Sequence, residues 1–314
     1  MRYVIGIDGG GTKTEAVLMD GSRRVVDRFV TGAANPHAVT YPVMEERLAE
    51  IVNRFLDRAG SDARVGGICL GLAGVSLPEE KARVSDFIRR CAERRNAETA
   101  VFVRTDAEIA LMAAVGAPCG AIAVAGTGSI LYGVTPDGQQ FRVGGWGHLL
   151  GDEGSGYAIG LRTLQAVMQS HDGVLPDTAL TGLVLKHCSL QAVADLKAYI
   201  YQPSIRKQHI AEFAALCAEA EQNGDPVARS ILEEAADDLV RLALALRGKH
   251  PYLSGTPLVL SGSMFRRCPG FLRLFAERFR RRAPHSDVLL PERSAAEGAA
   301  ELALLLEREN RAGT

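Results

Sequence analysis

The chain carries the same layout twice: a short apolar run, a turn rich in glycine and threonine, a second apolar run and a closing Asp-Gly pair. The first copy is VIGIDGGGTKTEAVLMDG at residues 4–21, and the second is GAIAVAGTGSILYGVTPDG at residues 120–138. Short apolar runs bounded by turn residues predict strands, so each copy predicts a hairpin with glycines between its strands. In the first copy, Asp20-Gly21 also predicts a tight hairpin turn after the second strand. The repeat predicts an internal duplication with a boundary near residues 117–118.

The remaining pattern alternates between helical and extended segments. Residues 42–59 have apolar residues at helical spacing, residues 66–74 (GGICLGLAG) predict a buried strand, and Pro78 predicts the start of a helix. The segment AVFVRTD predicts a strand, and the helix after it is expected to end at Gly116. A last apolar helix, from residue 295, could pack on either half. The fold class is therefore α/β.

The two glycine turns predict anion binding, because backbone N–H groups in such turns form concavities for phosphate. Neither turn fits a dinucleotide fingerprint or a Walker A loop, since the spacing differs and a strand, not a helix, follows. In a duplicated chain both turns are expected to face one cleft. Thr12 and Thr127 could add hydroxyl groups, and Asp8 beside the first turn points to Mg²⁺ between carboxylate and phosphate.

Two further places carry candidate chemistry. Asp106 follows the strand AVFVRT, where it can be a helix N-cap or, at the carboxyl end of a strand in an α/β sheet, a ligand-site carboxylate and general base. Residues 144–160 (GGWGHLLGDEGSGYAIG) contain seven glycines and the only tryptophan, Trp146, which could offer a flat apolar wall to a sugar ring. Asp152 precedes a helix that is expected to start near Gly156.

Composition limits the partners. The 314 residues have a formal net charge of -1, which gives no electrostatic case for nucleic acid or a membrane surface. No apolar run approaches the ~20 residues of a membrane helix, and nothing resembles a signal peptide, so a cytoplasmic location is expected. The six cysteines include no C-x-x-C pair, which predicts reduced and mostly buried thiols.

These motifs together resemble those of the sugar kinases in the actin, Hsp70 and hexokinase superfamily. More closely, the chain resembles the N-acetylglucosamine kinase group of the BadF/BadG/BcrA/BcrD ATPase family, over nearly its whole length. DGGGTKT is similar to the first phosphate loop of the family, GTGS to the second, TDA to the segment with the catalytic aspartate, and LSGS to the adenosine loop. GGWGHLLGDEGS, which is similar to the sugar segment, is the most specific of these matches.

The resemblance implies two ribonuclease H-like (actin-like ATPase) domains with a cleft between them. The expected bounds are residues 1–117, joined by the C-terminal helix 295–314, and residues 118–294. Residues 171–207 match no part of the family pattern, so a lid there could change the choice of substrate.

The resemblance also implies a role for each matching residue. Asp106 would be the general base for the sugar 6-hydroxyl, and Asp8 would lie by Mg²⁺. The residues that would bind the sugar are Asn35, Asp106, Ser129, Gly145, Trp146, Gly147 and Asp152. The residues that would bind ATP are Gly11, Thr12, Lys13, Gly126, Thr127, Gly128, Gly262 and Ser263.

The implied activity is ATP-dependent phosphorylation of an amino sugar, with N-acetylglucosamine first and glucosamine or N-acetylmuramic acid as alternatives, in a homodimer. Two readings from other classes stay open. An ATPase activator of a dehydratase would carry an iron–sulfur cluster, so iron content would identify it. A sugar-responsive regulator would need a DNA-binding helix-turn-helix outside the kinase-like core.

Overall fold

The structure is a computed structural model, and it describes residues 1–60, 64–75 and 77–312. The chain divides into two compact units, one made of residues 1–119 and 291–314 and the other of residues 120–290. The range 295–314 predicted for the last helix includes residues 313–314, which lie outside the described residues.

The first unit is built on a five-stranded sheet with the order β3-β2-β1-β4-β5. Its strands are β1 (Arg2–Gly9), β2 (Lys13–Asp20), β3 (Val25–Gly32), β4 (Arg64–Leu72) and β5 (Ala100–Arg104). Its helices are α1 (Tyr41–Ala59), α2 (Pro78–Glu93), α3 (Asp106–Val115) and α12 (Ala295–Ala312). The first three strands form an antiparallel meander, and β1, β4 and β5 run parallel.

Two apolar layers cover the two faces of this sheet. On one face α1 and α2 bury side chains such as Phe55 and Ile88 against the strands. On the other face α3 and α12 pack with Val4, Val17 and Cys69. The parallel strands β1 and β4 are buried on both faces, which explains why their sequences read as continuous apolar runs.

The second unit repeats this topology. Its sheet has the order β10-β9-β6-β7-β8. The strands are β6 (Gly120–Ala125), β7 (Ser129–Val134), β8 (Gln140–Gly144), β9 (Leu258–Ser261) and β10 (Val288–Leu289). Again three strands form a meander and the last two run parallel to the first. The predicted α/β class and the duplication are confirmed.

The second unit differs in its helices. Between β8 and β9 the chain forms α4 (Gly156–His171), α5 (Ala179–Cys188), α6 (Ala194–Ile200), α7 (Lys207–Gln222), α8 (Pro226–Arg247) and α9 (Pro251–Gly255). Two more helices, α10 (Ser263–Arg267) and α11 (Pro269–Arg282), lie between β9 and β10. Residues 171–207, which matched no part of the family pattern, thus contain α5 and α6. Helix α5 packs beside α4 and α7, and α6 packs against α5.

Several local predictions are confirmed, and one needs correction. Gly116 ends α3 in the left-handed conformation, and five of the six cysteines are buried while Cys119 is half-buried. The turn after β2 is longer than the two-residue hairpin expected at Asp20-Gly21. It spans residues 21–24, and Arg23, with φ 66°, takes the left-handed position. In the described part of the chain, no helix is both long and apolar enough to span a bilayer.

Helices α4 and α7 meet at Gly160, where a Cβ atom would overlap the backbone carbonyl oxygen of Ile210. Because backbone atoms cannot move aside as a flexible side chain can, Gly160→Ala should destabilise the second unit by about 1–3 kcal/mol. The matched control is Gly182→Ala in α5, where nothing lies within 4 Å of the new methyl group. That variant should be neutral or up to about 1 kcal/mol more stable. Thermal unfolding of both variants checks this, and equal melting temperatures would contradict the close α4–α7 contact.

Candidate active site

The first glycine turn lies at the carboxyl end of β1, between β1 and β2. The Gly10 N–H donates to the Lys13 carbonyl at 3.0 Å, which closes the turn, and Gly11, Thr12 and Lys13 are all exposed at its tip. The Lys13 ammonium lies 3.6 Å from the Glu15 carboxylate. The turn therefore presents backbone, a hydroxyl group and a cation to solvent, as a phosphate site requires.

Asn35 lies beside this turn. Its backbone N–H donates to the Gly10 carbonyl at 3.2 Å, and its amide Nδ2 lies 3.9 Å from where a Cβ atom on Gly11 would stand. Its Oδ1 accepts the His37 N–H at 2.8 Å. Asn35, a predicted sugar residue, therefore lies next to the predicted phosphate turn, although more than twenty residues of sequence separate them.

Asp106 follows β5, which is parallel to β1, so both carboxyl ends share one edge of the first sheet. The N-cap of α3 is Thr105 and not Asp106, which corrects one sequence-based interpretation. Thr105 Oγ1 accepts the Glu108 N–H at 3.2 Å, and the Glu108 carboxylate accepts the Thr105 N–H at 2.8 Å. Since this capping box already serves the helix end, the Asp106 carboxylate is not needed as the cap.

The Asp106 carboxylate is half-buried, and Oδ1 accepts the Ala107 N–H at 2.9 Å. Burial raises the pKa of the Asp106 carboxyl above its ordinary value, and the backbone N–H of Ala107 offsets part of this effect. A raised pKa brings a carboxylate closer to the range in which it accepts a proton effectively at neutral pH.

Asp8 is the predicted metal residue, and it is half-buried at the end of β1 opposite Glu15. The described residues contain no group of three or more His, Cys, Asp or Glu side chains that could hold a metal ion by themselves. Mg²⁺ is usually bound through one or two carboxylates together with substrate phosphates and water. A single carboxylate beside a phosphate turn fits that mode of binding.

In the second unit, the turn at residues 126–128 rests on the start of α4. The Gly156 N–H donates to the Gly126 carbonyl at 2.7 Å, and the Tyr157 N–H donates to the Thr127 carbonyl at 3.2 Å. These bonds use two of the N–H groups that a helix start leaves unpaired. They fix the turn against the rigid helix.

The predicted adenosine loop packs directly against this turn. Gly262 has φ 104°, and a Cβ atom there would overlap the Ala125 carbonyl oxygen. The Ser263 hydroxyl lies 3.7 Å from where a Cβ atom on Gly126 would stand. The second unit thus brings its two predicted ATP-binding segments into contact.

The segment from Gly144 to Asp152 is shaped by residues with positive φ, including Gly145 at 70° and Gly147 at 81°. Trp146 is 64% exposed, and the Arg142 guanidinium lies 4.2 Å from the centroid of its ring. An indole this exposed is not a core residue, so it stays available as a wall for a ligand.

Asp152 is placed differently from a simple surface ligand, because only 3% of the residue is exposed. Its Oδ1 accepts the Ser129 N–H at 3.0 Å, and its Oδ2 lies 2.5 Å from the Lys207 ammonium. The Ser129 hydroxyl donates to the Glu153 carbonyl at 2.7 Å. Two predicted sugar residues, Ser129 and Asp152, are thus in direct contact.

Lys207 is a residue of this site that the sequence motifs did not indicate. It begins α7, at the end of the segment that matched no pattern, and no local spacing connects it with Asp152, 55 positions earlier. The one sequence feature that could have indicated such a neighbour is Gly128, because a glycine leaves space for another group to approach the backbone closely.

The comparisons with known proteins agree on one family. A sequence model of the BadF/BadG/BcrA/BcrD ATPase family matches residues 5–303. The chain is 37% identical over 240 residues to an N-acetylmuramic acid/N-acetylglucosamine kinase of Clostridium acetobutylicum, covering 76% of this chain and 77% of that one. It is 31% identical over 313 residues to an N-acetyl-D-glucosamine kinase of Dictyostelium discoideum, covering 96% and 97%.

Among solved structures, a Chromobacterium violaceum protein assigned provisionally as an N-acetylglucosamine kinase superposes with a TM-score of 0.71. It is 26% identical to this chain, and the match covers 97% of this chain and 99% of that one. The likeness extends across both sheets. On its sequence and its fold, this chain belongs to the BadF/BadG/BcrA/BcrD ATPase family.

Proposed function

We propose that the protein is an ATP-dependent kinase that transfers a phosphoryl group to the 6-hydroxyl of an amino sugar, with N-acetylglucosamine as the preferred acceptor. The observation that carries the proposal is that both units contain the same combination of a glycine turn and predicted sugar residues. Each unit presents a glycine turn suited to phosphate, and each also holds predicted sugar residues next to that turn. The relatives named as amino-sugar kinases support the same substrate class.

In the proposed reaction the glycine turns orient the phosphates, and the predicted sugar residues orient the acceptor. Phosphoryl transfer depends mostly on positioning and on stabilising charge, since the protein contributes little covalent chemistry. Thr12 and Thr127 bind phosphate oxygens, while Asn35 and the Trp146 segment bind the sugar. Asp106 accepts the proton of the attacking hydroxyl.

Mg²⁺ is the proposed metal, held from the side of Asp8, and when bound it neutralises charge on the transferring phosphate. The protein itself would contribute one ligand to this metal, the Asp8 carboxylate at the edge of the first sheet. A homodimer and a cytoplasmic location, both expected from the sequence, stay predictions.

The direct test is nucleotide turnover with and without sugar. ADP release should be slow with ATP and Mg²⁺ alone and should rise at least about tenfold with N-acetylglucosamine, because an acceptor hydroxyl replaces poorly positioned water. A coupled ADP assay with N-acetylglucosamine, glucosamine and N-acetylmuramic acid ranks the acceptors. Turnover unaffected by any of the three sugars would refute the kinase proposal and favour a free-standing ATPase.

Asp106→Asn tests the proposed base. The asparagine keeps the shape of the side chain but cannot accept the proton, so kcat should fall about 10²- to 10⁴-fold while affinity for an ATP analogue is retained. Thr105→Ala is the matched control, since it removes the α3 N-cap at about 0.5–2 kcal/mol of stability but leaves the carboxylate in place. An Asp106→Asn enzyme with kcat close to the parent's would remove Asp106 from the chemistry.

The same variant tests the electrostatics of the site. Because the folded-state pKa of Asp106 is raised above its ordinary value of 3.8, the folded protein binds this proton more tightly than the unfolded chain. That contribution to stability is present at low pH and is lost as pH rises through the folded-state pKa. Asp106→Asn should therefore gain stability relative to the parent as pH rises from the ordinary pKa of 3.8 through the raised folded-state pKa. Thermal unfolding over this range measures the difference, and a trend in favour of the parent would contradict the raised pKa.

A further inference from the structure

The ammonium of Lys207 lies against the main chain of the second phosphate turn. A Cβ atom built on Gly128 would stand 2.7 Å from Lys207 Nζ and 2.8 Å from Asp152 Oδ1. Any residue other than glycine at position 128 would therefore displace one of these two charged groups. The space next to the turn is filled by a cation and its counter-ion instead of by a side chain of the turn.

The two partners of this ion pair differ in their exposure to solvent. Asp152 is almost completely buried, and its two oxygens are directed at the Ser129 N–H and at Lys207. The Lys207 side chain, by contrast, is 26% exposed. An ammonium group has three N–H donors, and one carboxylate oxygen does not use all three. The cation is thus fixed by a buried partner, while its side chain remains partly exposed and its ammonium lies close to Gly128.

From this arrangement we infer that Lys207 is a phosphate-binding residue of the nucleotide site, which Asp152 positions by ion pairing. The inference rests on the proposed function, in that the turn at residues 126–128 receives the phosphates of ATP. The Lys207 ammonium donates to a phosphate oxygen held at Gly128 and so adds a charge-assisted hydrogen bond to the turn. Asp152 then contributes to nucleotide binding through Lys207, in addition to the sugar contact predicted from the sequence.

The competing explanation is that Lys207 only neutralises the buried Asp152. A buried carboxylate that loses its partner is strongly destabilising, so loss of activity in a Lys207 variant would not distinguish the two roles. The difference lies in the ligand. A phosphate-binding cation affects nucleotides that carry phosphates and not the nucleoside, whereas a purely structural cation affects both alike.

The experiment measures binding of a non-hydrolysable ATP analogue and of adenosine, by calorimetry with Mg²⁺, to the full-length protein. Lys207→Met should weaken the analogue about 10- to 100-fold and leave adenosine within about twofold, because only the charge-assisted bond is lost. Lys207→Arg should recover most of the affinity for the analogue. Lys197→Met, which removes an exposed lysine of α6, is the matched control and should bind both ligands as the parent does.

The double variant Asp152→Asn/Lys207→Met covers the case in which Lys207→Met folds poorly, because it leaves no buried charge unpaired. Analogue affinity that stays low in the double variant, with adenosine unaffected, supports phosphate binding by Lys207. Analogue affinity that returns to the parent value overturns it and leaves Lys207 as a counter-ion. These readouts do not require sugar turnover, so a parent that binds the analogue but phosphorylates no sugar would overturn the kinase proposal without overturning this one.

Discussion

A carboxylate removed from water must be compensated by hydrogen bonds or an opposite charge, and Asp152 receives both. The Ser129 N–H binds one of its oxygens and the Lys207 ammonium lies at the other. Three separate parts of the second unit therefore meet at one group: the glycine turn that leads into β7, the segment before α4, and the first residue of α7. The backbone of Asp152, with φ 66°, is in the left-handed region, which Asp adopts more readily than most residues.

The same region shows why glycine is required at particular positions of the second unit. At Gly262 and Gly128 a side chain would meet backbone or a charged pair, and at Gly156 a Cβ atom would stand 3.1 Å from the Gly126 carbonyl oxygen. At these positions the absence of a side chain lets main-chain segments and the Asp152–Lys207 pair approach one another closely.

The elements that local pattern determines were predicted well. The strands of both hairpins, the α1 helix and the end of α3 at Gly116 follow from apolar runs, helical spacing and a terminal glycine. The N-cap at Thr105 could also have been found, because Thr105 and Glu108 form the spacing of a capping box. The left-handed residue after β2 could not have been found, since it is Arg23, which has no preference for that conformation.

What the sequence could not provide is contact between distant residues. The motifs placed Asp152 among the sugar residues, but its burial and its pairing with Lys207 depend on how α7 packs against α4. Likewise, the raised pKa of Asp106 comes from burial, which no single residue pattern encodes. The chemistry of the site was therefore predictable by residue type and the electrostatics were not.

The proposed reaction transfers the γ-phosphoryl group of ATP to the 6-hydroxyl of N-acetylglucosamine. The position of the phosphate in the product can be measured by phosphorus–proton correlation in NMR after incubation with ATP and Mg²⁺. We expect a single phosphosugar in which phosphorus couples to the two protons at carbon 6. Coupling to the proton at carbon 1, or free phosphate with no phosphosugar, would contradict it.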